Sequence, residues 1–207
     1  MITPIIMESE IEEVGRKLAI LETRKNERLH FDVGDGLFSE LMSVTPTDLH
    51  QFDLTKMKID IHLLVDDPME WVEGCSILSP QRLIAQIERM GSQIGFLDGV
   101  KNYGISGGLA LQIETPIESI EEGVFAEVQT ILLLAIPPGT TGHVFDERIL
   151  DKIKELKQIY RGNILIDGGV TPAVYQRVQT AGASEAGSNS AYWRGDFSTS
   201  LEMTKYG

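Results

Sequence analysis

Two short stretches bring an imidazole and a carboxylate to one face of a strand. In Arg28-Leu-His-Phe-Asp-Val-Gly34 side chains alternate sides, so His30 and Asp32 share one face and Leu29, Phe31 and Val33 the other. In Lys58-Ile-Asp-Ile-His-Leu-Leu64 the same alternation groups Asp60 with His62. A third stretch, Asn163-Ile-Leu-Ile-Asp-Gly-Gly-Val170, ends an apolar run at Asp167 and then turns on two glycines. Placing such groups inside a sheet is costly unless they are paired or hold a metal. His30, Asp32, His62 and Asp167 together make an N/O donor set for one divalent cation such as Zn, Fe, Mn or Co. A cation at strand ends can polarise a carbonyl and stabilise an enediolate, and neighbouring carboxylates can move protons. Asp60 lies deeper on its strand and is expected to support this set, not to join it.

Glycine-rich turns follow the late apolar runs: Gly139-Thr-Thr-Gly142, Gly168-Gly169 and Gly187-Ser188. Backbone N–H groups in such turns bind phosphate, and in barrel enzymes they do so after the last strands. Phosphate binding by backbone is therefore expected here. Other chemistry-bearing residues read as ordinary. His143 follows the strand-six turn and His50 is expected at the surface. Trp71 and Trp193 are expected to pack, Glu118, Glu121 and Glu122 to form a solvated helix face, and Cys75 to be an inert thiol.

Elements able to position these residues alternate along the chain. Apolar runs predict strands at Ile2–Met7, around His30, around His62, at Arg82–Ile87, Leu109–Ile113, Thr130–Ile136, around Ile166 and at Ser184–Gly187. Helical spacing and start signals predict a helix at 8–23, helices starting within 45–49 and within 66–73, a weak one within 88–108, and others at 116–123, 146–160 and 172–181, with a terminal helix around 189–204. Apolar strands alternating with helices imply a parallel sheet. Eight such units over 1–207 predict one domain, a closed (β/α)8 TIM barrel. A doubly wound open sheet is the alternative, but it gives no reason for an inward polar ring.

Bulk composition narrows the partners. Eighteen basic against 31 acidic residues leave a net charge of −13, which argues against a nucleic-acid surface. It does not exclude a small anion held by backbone amides. The single cysteine rules out an internal disulfide framework and suits a reducing cytoplasm. No apolar run is long enough to span a membrane, and the first residues lack the basic start and longer apolar stretch of a signal peptide. The cytoplasm is the expected location, and a homo-oligomer stays open.

At these residues the chain resembles the ribulose-phosphate 3-epimerase family. The matching stretches are Leu29–Gly36, Asp60-Ile-His-Leu-Leu-Val with Asp67-Pro68, Pro138-Gly-Thr-Thr-Gly-His-Val-Phe145, Ile166-Asp-Gly-Gly-Val170, and Ala181-Gly-Ala with Ala186-Gly-Ser188. They follow the family's order and spacing. The resemblance implies a TIM barrel with one divalent metal that inverts C3 of a pentulose 5-phosphate through an enediolate. It implies His30, Asp32, His62 and Asp167 as ligands and Asp32 with Asp167 as the acid/base pair. Expected substrate and phosphate contacts are His62, Gly139, Gly142, Gly168, Gly169, Gly187 and Ser188. The chain departs from the family's pattern at Ile5, where Ser is usual, and at Gly34, where Met is usual. It departs again at Phe38-Ser-Glu-Leu41, at Gln86, where His is usual, and at Thr140, Thr141 and His143. These departures bear on the substrate cap more than on the metal and the proton-transfer pair. Two alternatives stay open: a sugar-phosphate aldolase or decarboxylase on the same barrel, and a non-catalytic barrel that binds a phosphorylated metabolite.

Overall fold

The apolar runs all become parallel strands in the computed structural model, which describes residues 1–197. They are β1 (Ile2–Ile6), β2 (Arg28–Gly34), β3 (Lys58–Leu64), β4 (Arg82–Gln86), β5 (Ser106–Leu111), β6 (Thr130–Leu134), β7 (Asn163–Asp167) and β8 (Glu185–Ser188). Each pairs with the next, and β1 pairs with β8 through Thr3 opposite Gly187, so the ring closes as a TIM barrel. The helices are α1 (Ile11–Thr23), α2 (Pro46–Leu49), α3 (Val72–Ser76), α4 (Gln93–Asn102), α5 (Val124–Glu127), α6 (Arg148–Ile159), α7 (Pro172–Ala181) and α8 (Ser190–Arg194).

Strand alternation sorts the core into two layers. Leu29, Phe31, Val33, Ile59, Ile61 and Leu63 face outward and pack beneath the helices. On α6 the stripe Ile149, Ile153 and Leu156 is buried against this layer, each side chain worth about 1.5–3 kcal/mol of transfer free energy. Ile84, Ala110, Leu132 and Leu165 point inward and fill the barrel. Helix ends carry their expected signals. Thr171 caps α7 by accepting from the Val174 N–H, Pro172 opens the helix, and Gly182 closes it at φ 118°.

The lower end of the barrel is plugged by ions. Arg82 donates to both Asp60 oxygens at 2.9 and 2.6 Å and to Glu185 at 3.2 and 2.8 Å. Arg28 donates to Asp60 at 2.7 and 2.8 Å. Asp60 is thus a structural counter-ion, as its depth on the strand suggests. Burial pushes its carboxyl up, but the Arg82 hydrogen bonds and charge outweigh burial and hold it below the usual range.

Some elements differ from expectation. β5 begins at Ser106, not Leu109, so Gly107 and Gly108 lie in the strand. A Cβ on Gly107 would come within 2.6 Å of Leu97 Cδ2, and one on Gly108 within 2.8 Å of Ile84 Cγ1. These glycines permit close packing. The turn itself falls at Gly104, φ 72°. The helix expected at 116–123 is a single 3-10 turn, Ile117–Ser119, followed by α5. Glu121 is not merely solvated: it accepts from the Gln93 and Ile94 N–H groups at the start of α4. α8 stops at Gly195, φ 88°. Residues 198–204 of the expected terminal helix lie outside the described residues.

Candidate active site

β2 and β3 pair in a register that sets Asp32 opposite His62 and His30 opposite Asp60. Three of these four inward residues meet. Asp32 Oδ1 lies 3.1 Å from His30 Nε2 and 3.0 Å from His62 Nδ1, all buried. The available donor atoms of His30, Asp32 and His62 fall within 4.8 Å of one another. Asp167, at the end of β7, stands outside that group. It is nonetheless its electrostatic neighbour: burial, then the Asp32 charge, pushes the Asp167 carboxyl up to about 7. Burial also raises Asp32, but hydrogen bonds from both imidazoles outweigh it and hold this carboxyl low. The two carboxylates are thereby driven to different proton affinities. Two imidazoles and a carboxylate brought this close suit a divalent cation in ligand type.

Above this group opens a cleft lined by both Asp32 and Asp167, with about 140 Å³ of room for water-sized molecules. Gly139, Gly142, Gly168, Gly169, Gly187 and Ser188 all line it. His62 does not, being covered by Gln86 and Asp32. Positive φ angles at Gly139, Gly142, Gly168 and Gly169 give the turns their shape. Gly168 and Gly169 also lack room for a side chain, since a Cβ would meet Ile136 Cγ1 at 2.6 Å and Phe145 N at 2.7 Å. The Ser188 hydroxyl is engaged, donating to the Val170 carbonyl at 2.8 Å.

Two departures from the family's pattern, Gly34 and Ile5, have packing explanations. A Cβ on Gly34 would lie 2.5 Å from the Leu41 carbonyl, because the loop after β2 folds back over it. Gly34 N–H donates to Ser43 Oγ and Ser43 N–H to the Gly34 carbonyl, while Asp35 accepts from Leu37 and Phe38 N–H. Leu41 thus enters the inner apolar cluster from the loop, where the usual pattern would supply a strand-end side chain. Ile5 reaches across Gly187 and walls the cleft beside Asp167.

Of the cleft residues, Arg194 escapes sequence reasoning, while Thr141 and His143 stand near the substrate cap as expected. Thr141 hydrogen-bonds Ser190 at 3.0 Å, joining the loops after β6 and β8. Arg194 is the only Lys or Arg among the described residues lining the cleft. Nothing in its spacing marks it out, because α8 is too short to show a periodic pattern. His143 lines the cleft and is exposed. Trp193 packs as expected, its indole N–H donating to the Ile5 carbonyl at 2.7 Å. Cys75 is buried, which pushes its thiol up to about 12 and leaves it inert.

The model of the ribulose-phosphate 3 epimerase family matches residues 1–192. The ribulose-phosphate 3-epimerase of Bacillus subtilis is 26% identical over 190 residues, covering 88% of this chain and 87% of its own. That of Helicobacter pylori is 31% identical over 160 residues, covering 74% and 73%. Among solved structures, the N-acetylmannosamine-6-phosphate 2-epimerase of Clostridium perfringens superposes at a TM-score of 0.65 with 10% identity, over 92% of this chain and 86% of that one. Phosphoribosyl anthranilate isomerase from Thermus thermophilus superposes at 0.62 with 14% identity, over 92% and 88%. Those two share the fold alone. The match over residues 1–192, carried through the strands that bear His30, Asp32, His62 and Asp167, shows that this chain belongs to the ribulose-phosphate 3-epimerase family.

Proposed function

We propose that this protein is a metal-dependent isomerase that inverts C3 of a pentulose 5-phosphate, interconverting ribulose and xylulose 5-phosphates. One observation carries the reading: two carboxylates on separate strands, Asp32 of β2 and Asp167 of β7, open into one cleft above two buried imidazoles. Family membership favours this chemistry over the aldolase, decarboxylase and binding-only alternatives.

His30, Asp32, His62 and Asp167 would hold the cation. When bound, a divalent cation supplies electrostatic stabilisation for negative charge developing on the substrate oxygens. Inversion needs a proton taken from one face of a carbon and another delivered to the opposite face. One carboxylate takes the C3 proton to give the enediolate, and the other returns a proton from across the substrate plane. The apolar wall formed by Ile5, Leu64 and Leu134 excludes water from that exchange. The turns after β6, β7 and β8 receive the phosphate through backbone N–H groups, with Arg194 at the rim.

The test is to incubate metal-analysed protein with ribulose 5-phosphate in deuterated water. The expected result is xylulose 5-phosphate carrying deuterium at C3, from protein with about one equivalent of divalent metal per chain, as a single N/O site requires. Carbon–carbon cleavage or loss of carbon dioxide would replace this reading with one of the other barrel chemistries.

A further inference from the structure

Gln86 ends β4 and is wholly buried. Its Nε2 lies 2.9 Å from His62 Nε2, while its Oε1 has no hydrogen-bond partner among the described residues. An amide nitrogen only donates, so here His62 Nε2 accepts and the ring's proton sits on Nδ1, facing Asp32 at 3.0 Å. An imidazole nitrogen that carries a proton cannot offer a lone pair. In this arrangement the atom of His62 that faces Asp32 is closed to a cation.

We infer that Gln86 is a positioning residue that turns its side-chain amide over when a cation binds, moving the His62 ring proton from Nδ1 to Nε2. Rotation by half a turn brings Oε1 to His62 Nε2, where it accepts the relocated N–H, and Nδ1 is left bare. The amide keeps its shape through the rotation. Oε1 has no existing bond to break, so the amide loses only the bond being replaced, while the His62–Asp32 hydrogen bond gives way to the cation. The Nδ1 proton leaves to solvent by way of Asp32, its hydrogen-bond partner, and a solvent proton takes its place on Nε2, so the ring ends neutral and no net proton is gained or lost. His30 has no such partner, because its Nδ1 is buried and unpaired among the described residues. The switch is therefore specific to one of the two imidazoles. It rests on the metal site proposed above and assigns to it a device that supporting hydrogen bonds commonly provide, the choice of ligand tautomer.

The experiment is long-range 1H–15N NMR of the four histidines in the full chain, before and after adding Zn2+ alone, with zinc affinity measured by calorimetry. In the metal-free protein His62 should carry its proton on Nδ1, and with zinc on Nε2. Gln86→Leu, which can neither donate nor accept, should weaken zinc binding about 10–100-fold. Gln86→Glu, whose carboxylate only accepts, should bind zinc at least as tightly as the parent and hold the Nε2–H form even without metal. An Nε2–H form of His62 in the metal-free parent, or zinc affinity in Gln86→Leu within about twofold of the parent (less than 0.5 kcal/mol), would overturn the inference. Failure of the underlying reading looks different: zinc then leaves both His30 and His62 unshifted in the parent, and no variant at Gln86 matters. Because the parent spectrum alone tests the tautomer change, poor folding of a variant does not shield the claim.

Discussion

Asp32 is the residue on which both imidazoles converge, and its position was legible because a strand has a period of two. That period put His30 with Asp32 and Asp60 with His62, and the β2–β3 register then joined the pairs. Gln86 was legible only as a departure from a family's pattern, since an amide at a strand end has no spacing of its own; its bond to His62 is a product of tertiary structure. Two predictions belong at this scale. His62→Ala removes one of three convergent donors, so metal analysis of the purified variant should show the cation lost; full retention would place the cation elsewhere. Gly187→Val forces a side chain where a Cβ already lies 2.6 Å from Ile5 Cδ1 and 3.7 Å from Asp167 Oδ1. Overpacking of this kind costs about 1–3 kcal/mol, so KM for a phosphorylated ketose should rise about tenfold with the metal content unchanged. An unaltered KM would show that the cleft does not use this turn.

At the level of elements, the strands carry a buried ion network. The Asp60–Arg82–Glu185 plug links β3, β4 and β8 across the barrel floor, and Arg28 of β2 joins it. Removing one partner of a buried pair strands the other charge, so Asp60→Ala should cost about 3–5 kcal/mol in urea unfolding. A loss below about 1 kcal/mol, typical of an exposed pair, would show the plug to be solvated. The Asp60 carboxyl is held low in the folded chain. Its contribution is therefore complete above the unfolded carboxylate value of about 3.9 and is lost as pH falls below it through the folded one. Asp60→Asn should accordingly flatten the acid limb of stability and leave the neutral-to-alkaline limb parallel to the parent's. The same scale shows where sequence reasoning slipped. Gly107 and Gly108 resemble turn residues in isolation, and only the approach of Leu97 and Ile84 explains why a strand needs them bare.

Across the whole molecule, the alternation of strands and helices made the closed barrel legible, and closure is what gives the site its two sides. Asp32 and Asp167 are 135 positions apart in the chain. The ring order sets β2 and β7 three steps apart by way of β1 and β8, and both residues line one cleft. What the sequence left open was the cap, since Leu41 joins the inner apolar cluster from an irregular loop. The central claim is that these two carboxylates work from opposite faces of one substrate. Asp→Asn is the right change because the amide keeps an oxygen for the cation while losing the base. The decisive measurement is turnover of metal-loaded Asp32→Asn and Asp167→Asn in deuterated water, following inversion and exchange at C3 together. Each variant should lose inversion by at least about 10²-fold, the low end of a general acid–base contribution. At least one should still exchange the C3 proton without inverting the centre, because the remaining carboxylate serves only its own face. Near-parental inversion by either metal-loaded variant would contradict the two-carboxylate account.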